Sequence, residues 1–420
     1  MRHPLESRIF LDSTSGVFFC PQGAHDVKCT AMKKNFYIIT ATAWLLLWGA
    51  AFVFHPRHLP PEGTLTAEGY GGPIEMALSV STDGRITGLK VLRHHETPSY
   101  IAGLESFLQQ FTGKNRANTL VLGRDIDAIS GATITSQAIT SAVKENLSGQ
   151  PAPPPPLGPL LAMILLPLVL TSLAVAALLG RHNALRWAAL TGSFIYFGLV
   201  THTMLALIQP LQAGLGHSPS FGHNPLWWMT LGIAFIGALV LGRIYCGSLC
   251  PFASVQEGLH HLARHRHAKA STVSPKLDRR TRTLKYIILL GITALCLVSG
   301  RTAAAAVEPF MTFFTGRGTG LAWAFLGLML ILSVFNFRFW CKYLCPVGAL
   351  TSLMAAFSFW KIRPVPGCTA CDDCQGACPV DAISMNKNGQ PMVDNGECLM
   401  CAKCLNACPV SALKLTRRPR

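Results

Sequence analysis

Two cysteine runs near the carboxyl end limit the fold of this chain more than any other feature. They read Cys368-x-x-Cys371-x-x-Cys374-x-x-x-Cys378-Pro379 and Cys398-x-x-Cys401-x-x-Cys404-x-x-x-Cys408-Pro409. Three closely spaced thiolates cap one face of an iron–sulfur cubane, and in this spacing the fourth cysteine ligates the other cluster. Cys368, Cys371, Cys374 and Cys408 are therefore expected to hold one [4Fe–4S] cluster, and Cys398, Cys401, Cys404 and Cys378 the second. Proline after each distant cysteine turns the backbone away and removes an N–H. Zinc also takes Cys-x-x-Cys pairs, but two identical four-cysteine runs exceed what a zinc site needs. Electron transfer is the chemistry such clusters serve, a purely structural pair being the alternative. Thiolate ligation also places this end on a reducing face.

Composition decides what surrounds these runs. Of 420 residues, 50% are hydrophobic and only 13% charged, which argues against a soluble multidomain enzyme and for a chain partly dissolved in lipid. The formal charge of +16 would suggest nucleic acid in a soluble protein, but beside apolar spans it encodes orientation, and no nucleic-acid partner is expected. Apolar stretches at 36–54, 158–180, 187–208, 227–245, 284–300 and 321–340 each approach the length that crosses a hydrocarbon core of ~30 Å. Six crossings put both termini on one side. The loop from His260 to Lys285 carries Arg264, Arg266, Lys269, Lys276, Arg279, Arg280 and Arg282, so it and the carboxyl tail are expected in the cytoplasm of a bacterial inner membrane, with 55–157 outside it.

The expected division follows. Residues 1–35 form an amino-terminal segment, of which the part before Met32-Lys33-Lys34 reads as an over-extended start, leaving Cys20 and Cys29 without meaning. Residues 36–54 are a first transmembrane helix or signal anchor, 62–148 a small extracytoplasmic domain, and 149–157 a proline-rich linker whose Pro151 and Pro153 to Pro156 favour an extended spacer. Residues 158–360 form a five-helix membrane part and 361–416 the cytoplasmic two-cluster domain. The fold class is thus a multidomain membrane protein: a small α+β domain, an α-helical six-span bundle and an α+β ferredoxin-like domain.

The membrane part contains a repeat. Arg243-Ile-Tyr-Cys246-Gly-Ser-Leu-Cys250-Pro251 and Arg338-Phe-Trp-Cys341-Lys-Tyr-Leu-Cys345-Pro346 lie 95 residues apart. Two parallel hairpins, each ending in a cysteine pair, would bring four thiols to the cytoplasmic side of one bundle. Cysteines at i and i+4 share a helix face, so the pairs could converge on one metal or cluster, form redox disulfides, or pack as inert thiols. A relay is needed, because one hop across ~30 Å of hydrocarbon would be very slow. Cys296 reads as core. His202 falls within a span, where an ionisable side chain draws notice, though packing with a hydrogen bond is its simplest reading. His217 and His223 lie in an outer loop, and His260, His261, His265 and His267 belong to the basic loop.

In 62–148, Gly72 to Val80 and Ile86 to Leu92 alternate about an Asp83-Gly84 turn, predicting a hairpin. Helices are expected over 100–111 and 136–146. Between them stands Asp127-Ala-Ile-Ser130-Gly131-Ala132-Thr133, a small-residue turn before a helix that favours phosphate or simply caps the helix.

The ferredoxin runs combined with the Cys-x-x-x-Cys-Pro repeats resemble the NosR/NirI-like and NapH-like membrane iron–sulfur proteins. The segment around Ser130-Gly131-Ala132-Thr133 resembles the FMN-binding domain of Nqr, Rnf and NosR-like electron carriers. That resemblance implies covalent FMN on Thr133 through its phosphate, with Asp127, Ser130, Gly131 and Ala132 in the motif, and a flavin transferase as partner. His94-His95-Glu96-Thr97-Pro98 is similar to the strip that lies by the flavin, implying contacts from Glu96 and Thr97, with Ser99 standing where the family often has glycine.

The resemblance implies transmembrane electron transfer from a cytoplasmic or quinol donor, through the clusters and relay, to the extracytoplasmic flavin and a periplasmic reductase system such as nitrous oxide reduction. The alternatives are a redox-sensing regulator and a metal-site assembly factor. No catalytic residue is assigned, and the chain reads as an electron-transfer protein or oxidoreductase subunit.

Overall fold

The computed structural model describes residues 26–54, 64–98, 100–149, 157–265, 275–299, 302–386 and 388–417. Cys20, Ser99, His267 and linker residues 151–156 lie outside them, as do the side chains of Cys29, Arg264 and His265.

After helix α1 (Asp26–Phe54), the chain forms an antiparallel sheet of β1 (Leu65–Gly69), β2 (Gly72–Val80) and β3 (Ile86–Arg93), in that order. Alternation along β2 turns Ile74 and Met76 into the core. Ala67 pairs opposite Ile74 in β1, and Ile86 adds to the same core from β3. Gly84, with φ +71°, closes the β2–β3 turn by donating to Ser81. Helix α2 covers only Leu104–Gln109: Tyr100 is held in a turn onto Thr97 and Gly103 occupies the N-cap, so the expected helix over 100–111 is shortened. Helix α3 (Thr133–Ser148) starts three residues earlier than expected, buries Ile139 and Val143, and stops at left-handed Gly149.

The helical part comprises α4 (Leu157–Leu179), α5 (Asn183–Ser193), α6 (Ile208–Leu215), α7 (Pro225–Leu241), α8 (Pro251–His265), α9 (Pro275–Thr281), α10 (Leu284–Ser299), α11 (Pro309–Thr315), α12 (Gly320–Phe335), α13 (Phe339–Tyr343) and α14 (Pro346–Ala356). Among the described residues, Leu161–Leu179 and Leu277–Ser299 are long and apolar enough to cross a membrane; α11 and α12, bent by 105°, add a third if taken as one broken span. The expected span 187–208 is corrected: α5 widens into a π-type turn over Phe194–Val200, where the Thr201 amide and hydroxyl both return to the Tyr196 carbonyl. His202 follows at φ +51°, outside any helix. The 95-residue repeat is structural, since α7 and α12, and α8 and α14, begin at equivalent positions. Asn224 and Thr319 cap α7 and α12 by accepting from Trp227 and Ala322 amides.

The cysteine-rich domain pairs β4 (Trp360–Pro364) with β7 (Leu413–Arg417), and β5 (Ile383–Met385) with β6 (Pro391–Val393). Two short helices, α15 (Asp373–Gly376) and α16 (Lys403–Ala407), follow the paired cysteine loops. Both loops carry left-handed residues at matching places, Ala370 and Asp372 in one, Met400 and Ala402 in the other. Such turns fold the closely spaced thiols inward.

Candidate redox sites

The structure gathers Cys368, Cys371, Cys374 and Cys408 around one cavity and Cys378, Cys398, Cys401 and Cys404 around another. The spaces, counted with their mouths, are about 300 and 320 Å³ respectively. Apart from the thiols, Ile362, Val380, Leu399 and Ala402 line the second, and Met385, Val410 and Leu413 the first. Each cavity therefore presents four thiols in a largely apolar lining, the donor set of a cysteine-ligated [4Fe–4S] cluster. Backbone amides point at both exchanged cysteines, Ala382 at Cys378 (3.3 Å) and Ala412 at Cys408 (3.2 Å). Burial, then the neighbouring thiols, pushes the Cys404 thiol up to about 12, so such a group ionises at neutral pH only against a strong positive partner such as iron. Cys371 is exposed, whereas Cys374, Cys398 and Cys404 are buried.

The second cavity, not the first, faces the bundle. Leu399 follows Cys398, and a Cβ on Gly247 would overlap its carbonyl oxygen, so the absence of a side chain there permits the approach. The equivalent residue of the other repeat, Lys342, pairs with Asp381 at 2.8 Å and Asp278 at 2.7 Å. Glu397 receives Lys285 at 2.6 and 2.7 Å, Tyr286 at 3.1 Å and Arg243 at 3.4 Å, while Asp394 receives Tyr37 and Lys33 from α1.

The four bundle cysteines do not lie as i, i+4 pairs on continuous helices. Cys246 sits in a π-type turn (Tyr245–Leu249), Cys341 in α13, and Cys250 and Cys345 are extended residues immediately before α8 and α14. Pro251 and Pro346 occupy the first helical positions, where the missing N–H costs nothing. The Gly348 amide donates to Cys345 Sγ at 3.2 Å, and the equivalent Ala253 amide is directed at Cys250. Contacts also cross reciprocally: Gln256 Nε2 meets Cys341 Sγ at 3.2 Å, and Thr351 Oγ1, its counterpart, meets Cys246 Sγ at 3.4 Å. The pairs therefore converge about a pseudo-twofold centre. That centre also has a neighbour on the side away from the dicluster domain. The Tyr245 hydroxyl accepts from the Leu205 amide at 3.2 Å, in the segment that carries the α+β domain.

That segment binds the α+β domain through several groups. Tyr100 donates to the His202 carbonyl at 3.1 Å, Gln209 donates to the Tyr70 hydroxyl at 3.2 Å, and Gln212 donates to the His95 carbonyl. His95 stacks on His217 at 3.6 Å, and burial, then His217, lowers its imidazole to about 4. Neither the docking role of His217 nor that of His202 was legible in the sequence, which marks no long-range stack.

In this domain the Ala132 N-cap offers no side-chain acceptor, and the first turn of α3 carries no acid, so its leading amides stand free for a phosphate. Thr133 is the exposed first residue, Gly131 adopts φ +79°, and the Tyr100 ring lies beside it. These features fit FMN. Ser130 and Asp127 are exposed, and the Asp127 backbone is held by Gln110. Thr97 is buried. Glu96 turns inward, accepting from the Gly71 amide at 3.0 Å beside Thr135; burial raises its carboxyl to about 7 despite these hydrogen bonds.

Comparison with known proteins accords with these sites. Residues 69–148 match the FMN-binding domain family, 224–269 and 319–364 each match a 4Fe-4S binding domain, and 367–413 match a 4Fe-4S dicluster domain. The methylamine utilization ferredoxin-type protein MauN of Paracoccus denitrificans is 32% identical over 41% of this chain and 64% of its own length. The regulatory protein NosR of Pseudomonas aeruginosa is 35% identical over 39% of this chain and 24% of its own length, and protein NirI of P. denitrificans 31% identical over 43% and 27%. The chain thus spans less than two thirds of each of these relatives. No solved structure matches it. With a flavin-domain match on the amino side of a twice-matched 4Fe–4S segment and a dicluster match beyond it, the chain carries FMN-binding and 4Fe–4S domains and is similar to NosR and NirI over about two fifths of its length.

Proposed function

We propose that this protein carries electrons across a bacterial inner membrane between its dicluster domain and its flavin domain, with Cys246, Cys250, Cys341 and Cys345 as the intermediate station. One observation carries the reading: the thiol-bearing segment meets the dicluster domain through Gly247 against Leu399, and through Tyr245 it meets Leu205, in the stretch whose His202, Gln209 and Gln212 hold the flavin domain. Two [4Fe–4S] clusters, FMN and a further iron–sulfur centre would supply the redox chemistry when bound. The chain's residues hold these groups in sequence and exclude water between them.

The basic residues from Arg279 to Lys285 favour a cytoplasmic dicluster domain, and a crossing by the apolar stretch 36–54 would put Thr133 on the opposite side, where a flavin transferase would esterify it with FMN. Covalent attachment suits that side, where a free flavin would be diluted away. The donor would be cytoplasmic or a quinol, and the acceptor a periplasmic reductase system such as nitrous oxide reduction.

The test uses purified protein in sealed vesicles. A membrane-impermeant reductant is supplied on the dicluster side, and flavin bleaching is followed optically. The expected result is rapid bleaching in the wild type and loss of it in Cys246→Ser/Cys341→Ser with both ferredoxin clusters and flavin retained. Equal rates in the two proteins would refute the relay. The name of its relative NosR, a regulatory protein, favours a sensor as the second reading. A sensor would bleach once and saturate without delivering electrons onward.

A further inference from the structure

Both copies of the repeat carry an arginine three residues before the first cysteine, and the two are used differently. Arg338 is fully committed. Its Nε and Nη2 donate to Glu257 at 3.1 and 2.5 Å, Nη2 also to the Gly247 carbonyl at 3.1 Å, and Nη1 to the Cys246 carbonyl. Arg243 is only 2% exposed, yet among the described residues its side chain makes one hydrogen bond, from Nη1 to Glu397 at 3.4 Å. Its Nε and Nη2 have no partner among the described residues.

The free Nη2 lies beside the cysteine-bearing segment of the second repeat. A Cβ on Gly348 would lie 3.1 Å from Arg243 Nη2, 3.3 Å from the Cys341 carbonyl oxygen and 3.3 Å from Cys345 Cβ. The N-termini of α8 and α14, of 15 and 11 residues, open at the same place and add positive potential. A buried guanidinium keeps its charge, and buried donors left unmet cost ~1–3 kcal/mol each. A cradle of this kind favours an anionic occupant rich in acceptors, which four thiolates around an iron–sulfur core would be. A pair of neutral disulfides would leave the arginine unanswered.

We propose that Arg243 is a positioning residue that donates from Nε and Nη2 to an anionic iron–sulfur centre on Cys246, Cys250, Cys341 and Cys345, and raises that centre's reduction potential. The inference rests on the thiol site being such a centre, as under Proposed function. One electron arriving from the dicluster domain makes the occupant more negative by one charge. No bond forms or breaks, and Arg243 keeps its proton throughout. A fixed cation with free N–H groups stabilises the reduced form more than the oxidised form, which is the direction of a higher potential. Because Nη1 is tied to Glu397, next to Cys398, the same side chain links this centre to the nearer ferredoxin cluster.

The experiment is iron analysis and EPR-monitored potentiometry on the full-length protein. Wild type is expected to hold more iron than two [4Fe–4S] clusters account for, with a third signal that disappears in Cys246→Ser/Cys341→Ser. Absence of that extra iron and signal would overturn the centre itself. With the third signal present, Arg243→Gln should move its midpoint to lower potential, and Arg243→Lys, which keeps the charge but loses the forked donors, should move it less and alter its line shape. An unchanged midpoint in Arg243→Gln would overturn the role of Arg243 while leaving the centre standing. If Arg243→Gln fails to accumulate, Arg243→Lys decides, since an unaltered midpoint and line shape there also overturn it.

Discussion

Replacing Glu397 by glutamine isolates the force that seats the dicluster domain on the helices. Burial alone would raise this carboxyl, but Lys285, Arg243 and Arg282 outweigh burial and hold it down at about 2, against an ordinary 4.5. A carboxylate depressed in this way stabilises the folded state above pH 4.5 and loses that contribution as pH falls toward 2, so the full effect is present at neutral pH. The depression corresponds to about 3 kcal/mol, close to the ~3–5 kcal/mol expected for breaking a buried ion pair from one side. Glutamine keeps the volume and removes the charge, leaving the Lys285 ammonium, whose side chain is 0% exposed, without its counter-ion. About 3 kcal/mol converts to a roughly hundredfold rise in the population with this segment opened. Hydrogen exchange read by mass spectrometry on peptides covering 394–404 measures it at neutral pH. Protection unchanged within about threefold would refute the argument that this carboxylate seats the domain.

Further outcomes follow from the other sites. Thr133→Ala should abolish the ultraviolet-fluorescent band on a denaturing gel and the FMN-sized mass increment, when both proteins are co-expressed with a flavin transferase. Cys408→Ser should remove the same EPR signal as Cys368→Ser, and Cys378→Ser the same as Cys398→Ser; pairing by run instead of by cavity would contradict the exchange of fourth cysteines. Glu96, raised to about 7 by burial, ionises more readily in the unfolded chain, so the flavin domain should lose about 3 kcal/mol of stability as pH rises from 4.5 to 7. Glu96→Gln should flatten the dependence of the domain's melting temperature over pH 5–8, and an unaltered slope would count against a buried carboxyl there.

Legibility in the sequence followed the range of the forces involved. The grouping of cysteines around two cavities was readable because the spacing is that of two-cluster runs, in which three close thiols share a centre and the fourth crosses to the other. The β2–β3 hairpin was readable because Ile74 and Met76, two apart about Glu75, and Ile86 flank the Asp83-Gly84 turn. The break after Cys250 was missed, although Pro251 and Pro346 marked it: proline at a first helical position turns the preceding cysteine into a cap instead of the next rung of a helix. The shortened α2 reflects Gly103, whose weak helix propensity was outvoted by the apolar pattern around Phe107 and Phe111. Gln256 against Cys341 and Arg243 against Glu397 left no local trace, since each joins residues far apart in the chain.

The reciprocal contacts have a bearing on the order of assembly. Gln256 reaches the cysteine of the later repeat, and Thr351 that of the earlier one, so neither half of the chain contains a finished site. A nascent chain that has inserted only the first repeat holds Cys246 and Cys250 against no counterpart. Any centre on four such thiols needs α14 in place, yet the dicluster domain, synthesised after the bundle, brings Leu399 against Gly247. Loading would then fall between the entry of α14 and the docking of the dicluster domain, and a chain that docks that domain first would present its thiols from fewer sides.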